Sequence, residues 1–424
     1  MGMGERVTRL EACRGIAAII VVIFHTLWAF EPTIVGFTVG DRTSYSLSGT
    51  IFYTLINGVG AVVFFFVLSG YVLTAKFFEK PDPDLIVHAV LKRLPRLAGI
   101  TTIVTVTSAL IWLSGLYYYR EAAQLSGSGW LATFGYVNLP DDFVPTIGNA
   151  IAQGAWRTFF SGDNYLDISL WTMHHEFCGS LLVFLAAPFL VYVLRGNLVW
   201  LLFLLGIALF RYIDVYMIPF LCGLAIAYFE RSMTLFRSPW VTSGLLLAGL
   251  YLLGFQFPDR DYSIFALLPV LHSGKPASEI YQYLILSMGA SAIILAILRS
   301  PTAEEIFGNK IGAFLGRLSF PIYLVHVLVI CSASSFVYVR MFPLLGRAAI
   351  YPAAVCTLSI TLLVALPLAK IDVTWVRLLN STLTRRWVPN RPASTGSAQR
   401  EVGEGHLAPA ASPHSPQTAL PHPS

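Results

Sequence analysis

Residues 15–30 read GIAAIIVVIFHTLWAF, an apolar run in which His25 is the one ionisable side chain. A helix needs roughly 20 mostly apolar residues to cross a bilayer, and this run approaches that length. The whole chain shares its character, because 56% of the 424 residues are hydrophobic and 12% are charged. Soluble domains carry about 25% charged residues, and the mean hydropathy here is +0.68. We therefore predict an all-α, polytopic protein that resides in a lipid bilayer.

Apolar segments recur along the chain and predict a bundle of about ten transmembrane helices. They are residues 15–30, 56–75, 98–115, 170–193, 198–212, 214–229, 240–257, 281–298, 314–333 and 348–368. We assign residues 1–370 to this transmembrane domain and residues 371–388 to a basic cytoplasmic segment. Residues 389–424 are rich in Pro, Ser and Ala without an apolar period, a composition typical of a disordered tail.

The distribution of positive charge predicts the orientation, because Lys and Arg accumulate in cytoplasmic loops. With the N-terminus in the cytoplasm, 20 of the 28 Lys and Arg residues fall on the cytoplasmic side. We therefore expect both termini in the cytoplasm, in the plasma membrane or an endomembrane. The longest loop, about residues 116–169, would then form a cap on the opposite side.

Arg14 and His25 lie 11 residues apart on the first predicted helix. That spacing turns the helix about 20° past three full turns, so both side chains share one face about 16.5 Å apart along the axis. Ionisable residues are costly inside a membrane, and this geometry suits a long ligand with an anionic head and a reactive far end. Acyl-CoA has that shape. The alternative is an arginine that reaches the interface beside a hydrogen-bonded structural histidine.

Five short motifs occur along the chain. They are RLEACRGIAAIIVVIFH (9–25), FFFVLSGYVLT (64–74), RLPR (93–96), SLWTMHHEF (169–177) and LSFPIYLVH (318–326). Each motif is modest alone, but all five together, in this order over residues 9–326, resemble the acyltransferase-3 family of integral membrane O-acyltransferases. The sequence of the fourth motif is most similar to fungal members.

The resemblance implies an enzyme that moves an acyl group from acyl-CoA to a hydroxyl. His25 would be the general base that takes the proton of the acceptor hydroxyl, a role that suits an imidazole near pH 7. Arg14, Arg93 and Arg96 would bind the phosphates of CoA at the cytoplasmic face. For Arg93 and Arg96, the alternative is an ordinary positive flank at a helix start marked by Pro95.

Glu176 would also be catalytic. It would orient the His25 imidazole and stabilise its charged form, as the acidic residue of a catalytic triad does. Two alternatives remain open: Glu176 binds the acceptor, or it forms a structural pair with a neighbouring histidine or arginine. Trp171 and His175 would bind the acceptor, although an interfacial position is equally expected for Trp171. Here the chain departs from the family, since His174 and His175 stand where apolar or small residues are usual.

Tyr323 and His326 lie one turn apart on the ninth predicted helix. They would line the acceptor pocket or form a hydrogen-bonded network across the bundle. Gly70 follows Ser69 in the second helix, and this small pair predicts a close helix contact rather than a covalent nucleophile. The five cysteines include no CxxC pair, so we expect neither a disulfide framework nor a metal site.

The expected partners are the lipid bilayer, acyl-CoA as a co-substrate and a hydroxylated small-molecule acceptor. We expect no permanently bound cofactor and no nucleic acid. Acetylation in secondary metabolism is the simplest form of the prediction. Two rival functions are a proton-coupled transporter, which also uses buried His, Glu and Arg, and an inactive scaffold of the same fold.

Overall fold

The structure is a computed structural model that describes residues 3–137, 139–140, 142–194, 198–230, 238–267, 275–300 and 302–387. The described residues form helices and connecting turns without a β-strand, so the all-α prediction is confirmed. One compact unit comprises Met1–Ser381 and another comprises Thr382–Ser424. The predicted disordered tail, residues 389–424, lies outside the described residues.

The principal helices follow the predicted apolar segments in order. They are α1 (Met3–Phe30), α2 (Gly58–Glu79), α3 (Pro83–Leu113), α4 (Trp171–Tyr192), α5 (Leu198–Ile213), α6 (Met217–Phe229), α7 (Pro239–Leu253), α8 (Lys275–Arg299), α9 (Lys310–Val329) and α10 (Ile350–Trp387). A further helix, Ser335–Leu345, connects α9 to α10. Short helices between Tyr119 and Phe160 precede α4.

Six helical stretches of the described chain are long and apolar enough to cross a membrane. The last of them, Lys310–Thr382, contains α9 and most of α10. The shorter apolar helices Leu198–Phe210, Met217–Phe229 and Pro239–Leu253 fall below that length. The membrane-protein class is therefore supported, and the count of ten crossings stays a prediction.

Two helices extend beyond their predicted limits. The α3 helix begins at Pro83, where the side chain of Asp82 accepts a hydrogen bond from the Asp84 amide. The prediction that Pro95 marks a helix start is wrong, because α3 continues through it. The Trp375 indole of α10 donates to the Pro95 carbonyl at 2.8 Å, so this part of α3 packs against α10. The α10 helix continues through residues 371–387, which were predicted as a separate basic segment.

The α1 and α9 helices pack parallel to each other through small residues. A Cβ added at Gly15 would lie 2.6 Å from the Leu315 Cβ, and one added at Gly316 would lie 2.6 Å from the Glu11 Cβ. The facing residues differ in number by about 300 throughout, which is the pattern of parallel helices in register. This close contact determines which residue of α9 faces His25.

The α2 and α6 helices cross at glycines on both sides. A Cβ at Gly70 would lie 2.3 Å from the Phe220 carbonyl oxygen, so the predicted close contact at Gly70 is confirmed. A Cβ at Gly223 would lie 2.0 Å from the Val67 carbonyl oxygen. Small residues at such crossings let membrane helices approach through their backbones.

Gly223→Ala is therefore expected to destabilise the protein by about 1–3 kcal/mol or more, because the new methyl group overlaps backbone atoms that cannot move independently. The matched control is Gly244→Ala in α7, where an added Cβ meets nothing within 4 Å. Thermal unfolding of both variants in detergent measures the difference. Equal melting temperatures for the two variants would contradict the crossing.

Candidate active site

His25 lies on α1 against His326 of α9, with 3.2 Å between His25 Nδ1 and His326 Nε2. The Nδ1 atom of His326 lies 2.6 Å from the Tyr323 carbonyl oxygen, and His25 Nδ1 lies 3.0 Å from the Val21 carbonyl oxygen. A carbonyl accepts only, so each Nδ1 carries the proton of its neutral ring. His326 Nε2 then accepts the hydrogen bond from His25 Nδ1. Because a neutral imidazole has one N–H, the Nε2 atom of His25 carries no proton. This arrangement presents a basic nitrogen.

His25 is partly buried, whereas His326 has no exposed surface. Aromatic rings surround His25 on the side away from Arg14. The ring centroid of Trp130 lies 5.2 Å from that of His25, and Trp28 stacks on Trp130 at 5.5 Å. Trp130 belongs to a short helix in the long loop, Gly129–Ala132, so the predicted cap contributes directly to the site.

The backbone just after Trp130 is unusual. Phe134, Gly135 and Tyr136 have φ values of 50°, 76° and 66°, three successive residues in the left-handed region. Non-glycine residues there carry strain of order 1–3 kcal/mol and cluster at functional sites. The turn brings Tyr136 to 5.7 Å from Trp28, measured between ring centroids. The sequence motifs do not include Trp28, Trp130 or this turn.

A cavity of about 130 Å³ lies between α1, α2, α3, α4 and α9. The three arginines predicted to bind one ligand, Arg14, Arg93 and Arg96, all line it. Its other polar lining comprises Ser69, Thr172, Glu176, Ser319 and Tyr323. Arg93 and Arg96 also line an adjoining cavity of about 170 Å³, together with Lys92 and Asn380.

Glu176 forms an ion pair with Arg93 and accepts a 2.7 Å hydrogen bond from the Ser69 hydroxyl. Among the three roles considered for Glu176, the pairing with a neighbouring arginine is the one present here. The orienting partner of His25 is His326 instead. Glu176 still lies on the cavity wall, where it neutralises one of the three guanidinium groups.

Trp171 and His175 lie away from this cavity. His175 Nδ1 is 3.3 Å from the Asp214 carboxylate, and its ring packs on Tyr216 at 4.1 Å. Trp171 packs on the same two rings, at 5.7 and 5.3 Å between centroids. The neighbouring His174 contacts the Phe159 carbonyl at 2.8 Å. Two of the four residues predicted to bind the acceptor, Trp171 and His175, therefore do not join the group formed by His25, Tyr323 and the arginines.

Tyr323 is the cavity residue nearest to the histidine pair. It precedes His326 by one helical turn, and their ring centroids are 5.7 Å apart. His25 itself does not line the cavity, which reaches Tyr323 and Thr172 at this end. Tyr323 and His326 on α9 therefore form a chain of contacts between the cavity that the arginines line and the imidazole of His25.

Asp167 is fully buried just before α4 and accepts hydrogen bonds from the Ser169 amide at 3.0 Å and the Ser169 hydroxyl at 2.8 Å. These bonds fix the turn that begins the helix carrying Thr172 and Glu176. Burial raises the pKa of the Asp167 carboxyl to about 7, although the Ser169 hydrogen bonds oppose that shift.

We expect Asp167 to make stability depend on pH. An unfolded aspartate titrates near 3.9, so the folded protein binds the proton more tightly, and the free energy of unfolding declines as the pH rises from about 4 to about 7. Asp167→Asn removes this decline. The melting temperature of the variant relative to wild type should therefore rise across that window and level off above it. A pH-independent difference would contradict the assignment.

The fold and the site together combine an apolar helix bundle, a histidine pair packed among aromatic rings and a cavity lined by three arginines. The model of a family described as an acyltransferase domain, acyltransferase-3, matches residues 7–369. The chain belongs to the acyltransferase-3 family, and it is an O-acyltransferase. The resemblance carried by the five motifs is thereby confirmed.

A curated fungal protein gives a consistent comparison. The chain is 26% identical to the O-acetyltransferase PaAT-1 of Phomopsis amygdali over 378 residues, which cover 75% of this chain and 71% of that protein. No solved structure matches the chain.

Proposed function

We propose that the protein transfers an acyl group, acetyl in the simplest case, from acyl-CoA to a hydroxyl of a neutral small-molecule, sugar or lipid acceptor. The observation that carries this proposal is the arrangement of charged residues on α1 and α3. Arg14 lines a cavity with two further arginines, and the base His25 lies on the same helix about 16.5 Å away. Because His25 does not itself line the cavity, one elongated thioester would contact both groups by extending its acyl end past Tyr323.

The donor end is supported by the charges that converge there. Arg93 and Arg96 line two adjoining cavities, so a ligand that occupies both contacts the same two guanidinium groups. Arginine binds phosphate through a planar fork of N–H donors. Lys92 adds a further cation at the second cavity, where its ammonium donates to the Asn380 side chain at 3.0 Å. The phosphates of CoA would lie here, with the pantetheine arm directed towards Tyr323.

The acceptor end is supported by the rings around His25. Trp28, Trp130 and Phe24 lie within 6.3 Å of the imidazole, measured between ring centroids. Aromatic faces favour apolar ring surfaces and stacking. An uncharged alcohol that presents such a surface fits these surroundings better than an ionic acceptor does.

The reaction then needs no covalent enzyme intermediate. His25 Nε2 takes the proton of the acceptor hydroxyl while its oxygen attacks the thioester carbon. The carbonyl electron pair moves to oxygen, and its return expels the CoA thiolate. The thiolate receives the proton from the imidazolium, which leaves an ester, CoA and a neutral His25.

The proposed orientation places Arg14 at the cytoplasmic face, where acyl-CoA is available, and His25 towards the opposite side. Positive charge on the predicted cytoplasmic loops supports this orientation. Membership of an acyltransferase family removes the support for the transporter alternative.

The test is a comparison of metabolites from cells that carry the wild-type gene, no gene, or a His25→Ala gene. We expect one acylated product to be missing from both the deletion and the His25→Ala cells, with the mass difference giving the acyl group. His88→Ala is the matched control, since His88 lines neither cavity. A His25→Ala strain that still makes the product would overturn the proposal.

A further inference from the structure

Tyr323 and Thr172 both line the cavity formed with Arg14, Arg93 and Arg96, called the arginine cavity below. Their hydroxyl groups share one hydrogen-bond acceptor, the Ser169 carbonyl oxygen. The two oxygens are 3.0 Å apart. The Ser169 carbonyl oxygen lies 3.0 Å from the Thr172 hydroxyl and 3.3 Å from the Tyr323 hydroxyl. Thr172 is 2% exposed and Tyr323 is 6% exposed, and both line the cavity.

The two hydroxyl groups supply two hydrogens, whereas one hydrogen bond is enough to satisfy the Ser169 carbonyl oxygen. Each hydroxyl supplies one hydrogen, and the Thr172 hydrogen alone can satisfy the Ser169 carbonyl at the shorter distance. The Tyr323 oxygen can also accept from another donor while its own hydrogen turns elsewhere. Tyr323 can therefore donate to a ligand in the cavity without leaving a buried carbonyl unpaired, a situation that would cost about 1–3 kcal/mol.

The position of Tyr323 also couples it to the base. Its carbonyl accepts the hydrogen bond that sets the tautomer of His326, and His326 in turn holds His25. The ring packs edge-on against Phe65 at 6.0 Å, which limits its movement. One turn of α9 thus carries both the group that orients the base and a tyrosine that lines the cavity with the three arginines.

Resting on the proposed function, we infer that Tyr323 is the oxyanion donor of the reaction. When the acceptor oxygen bonds to the thioester carbon, the carbonyl electron pair moves to the carbonyl oxygen, and the Tyr323 hydroxyl donates a hydrogen bond to it. No proton is transferred from Tyr323. The bond shortens as charge develops and lengthens when the C=O bond returns and the thiolate leaves. Thr172 is a positioning residue, because it keeps the Ser169 carbonyl satisfied.

The main experiment compares Tyr323→Phe with wild type in nanodiscs, with acetyl-CoA as donor and metabolite extract of deletion cells as the source of acceptor. Removal of one oxyanion donor typically lowers kcat about 10²–10³-fold. We expect the maximal rate of CoA release per folded protein to fall at least tenfold, with the KM for acetyl-CoA within about threefold of wild type. A smaller fall in the maximal rate would overturn the assignment.

The matched control is Tyr338→Phe, which removes the hydroxyl of another buried tyrosine, 0% exposed, whose ring stacks on Phe30 at 4.7 Å. Tyr338→Phe should keep the wild-type rate. A purely structural role for Tyr323 would lower the melting temperature and leave the rate per folded protein unchanged.

A second variant covers the case in which Tyr323→Phe does not fold. Thr172→Val removes the competing donor, so the Tyr323 hydrogen is retained by the Ser169 carbonyl. We expect the maximal rate of Thr172→Val to fall at least tenfold as well, and a smaller fall would overturn the assignment. The proposed function fails separately, if wild type releases no CoA or if His25→Ala releases it at the wild-type rate. This inference alone would be overturned if wild type is active, His25→Ala is inactive and the maximal rate of Tyr323→Phe falls less than tenfold.

Discussion

His25→Ala is expected to lower the rate of acyl transfer by about 10²–10⁴-fold, the usual contribution of a general base. The physical reason is the tautomer held by His326, which leaves His25 Nε2 as the acceptor for the hydroxyl proton. The variant should remain folded, because the imidazole is only partly buried. The measurement is CoA release from acetyl-CoA in nanodiscs, with the acceptor extract described above.

His326→Gln separates the base from the group that orients it. A glutamine oxygen can accept from His25 Nδ1, so this variant should keep more activity than His326→Ala, which leaves the Val21 carbonyl as the remaining acceptor. Both should shift the pH dependence of the rate, whereas His88→Ala should leave it unchanged. Equal rates for His326→Gln and His326→Ala would show that the histidine pair does not set the tautomer.

Removal of one member of the Arg93–Glu176 ion pair is expected to cause the largest loss in the free energy of unfolding. The two side chains are 8% and 14% exposed, so removal of either leaves a largely buried charge without its partner. Broken buried pairs typically cost about 3–5 kcal/mol. Arg93→Met and Glu176→Leu should each lower the free energy of unfolding by this amount, measured by denaturation in mixed micelles.

The double variant tests the cause. With both charges absent, Arg93→Met/Glu176→Leu should recover most of the lost stability, since an apolar pair of similar volume replaces the ion pair. It should nevertheless bind CoA more weakly than wild type, because Arg93 lines both cavities. Additive losses in the double variant would mean that the two residues act independently.

The sequence predicted the features that depend on helical periodicity and on recurring motifs. Arg14 and His25 lie on one uninterrupted helix, and Arg14, Arg93 and Arg96 line one cavity. The prediction succeeded for α1 because a bilayer favours continuous helices, so spacing alone determines the shared face. The start of α3 was misplaced because Lys92, Arg93 and Arg96 interrupt the apolar residues between Pro83 and Leu97.

Side-chain partners were harder to predict. Ser69 and Arg93, the partners of Glu176, come from helices 107 and 83 residues away in sequence, and periodicity does not determine such contacts. Trp130 was missed because it belongs to a loop with no regular pattern, and three residues in the left-handed region follow it. His175 was adjacent to Glu176 in sequence, but it lies on a different face of α4 and pairs with Asp214.

The central claim is that the arginine cavity binds CoA, and calorimetric titration of CoA into the purified protein in nanodiscs tests it most directly. We predict saturable binding to wild type that weakens at least tenfold in Arg96→Gln, as expected for the loss of about 1.5–3 kcal/mol in a hydrogen bond to a charged group. Arg340→Gln, outside both cavities and packed over Phe336, should bind as wild type does. Absence of CoA binding to wild type, or unchanged affinity in Arg96→Gln, would contradict the account.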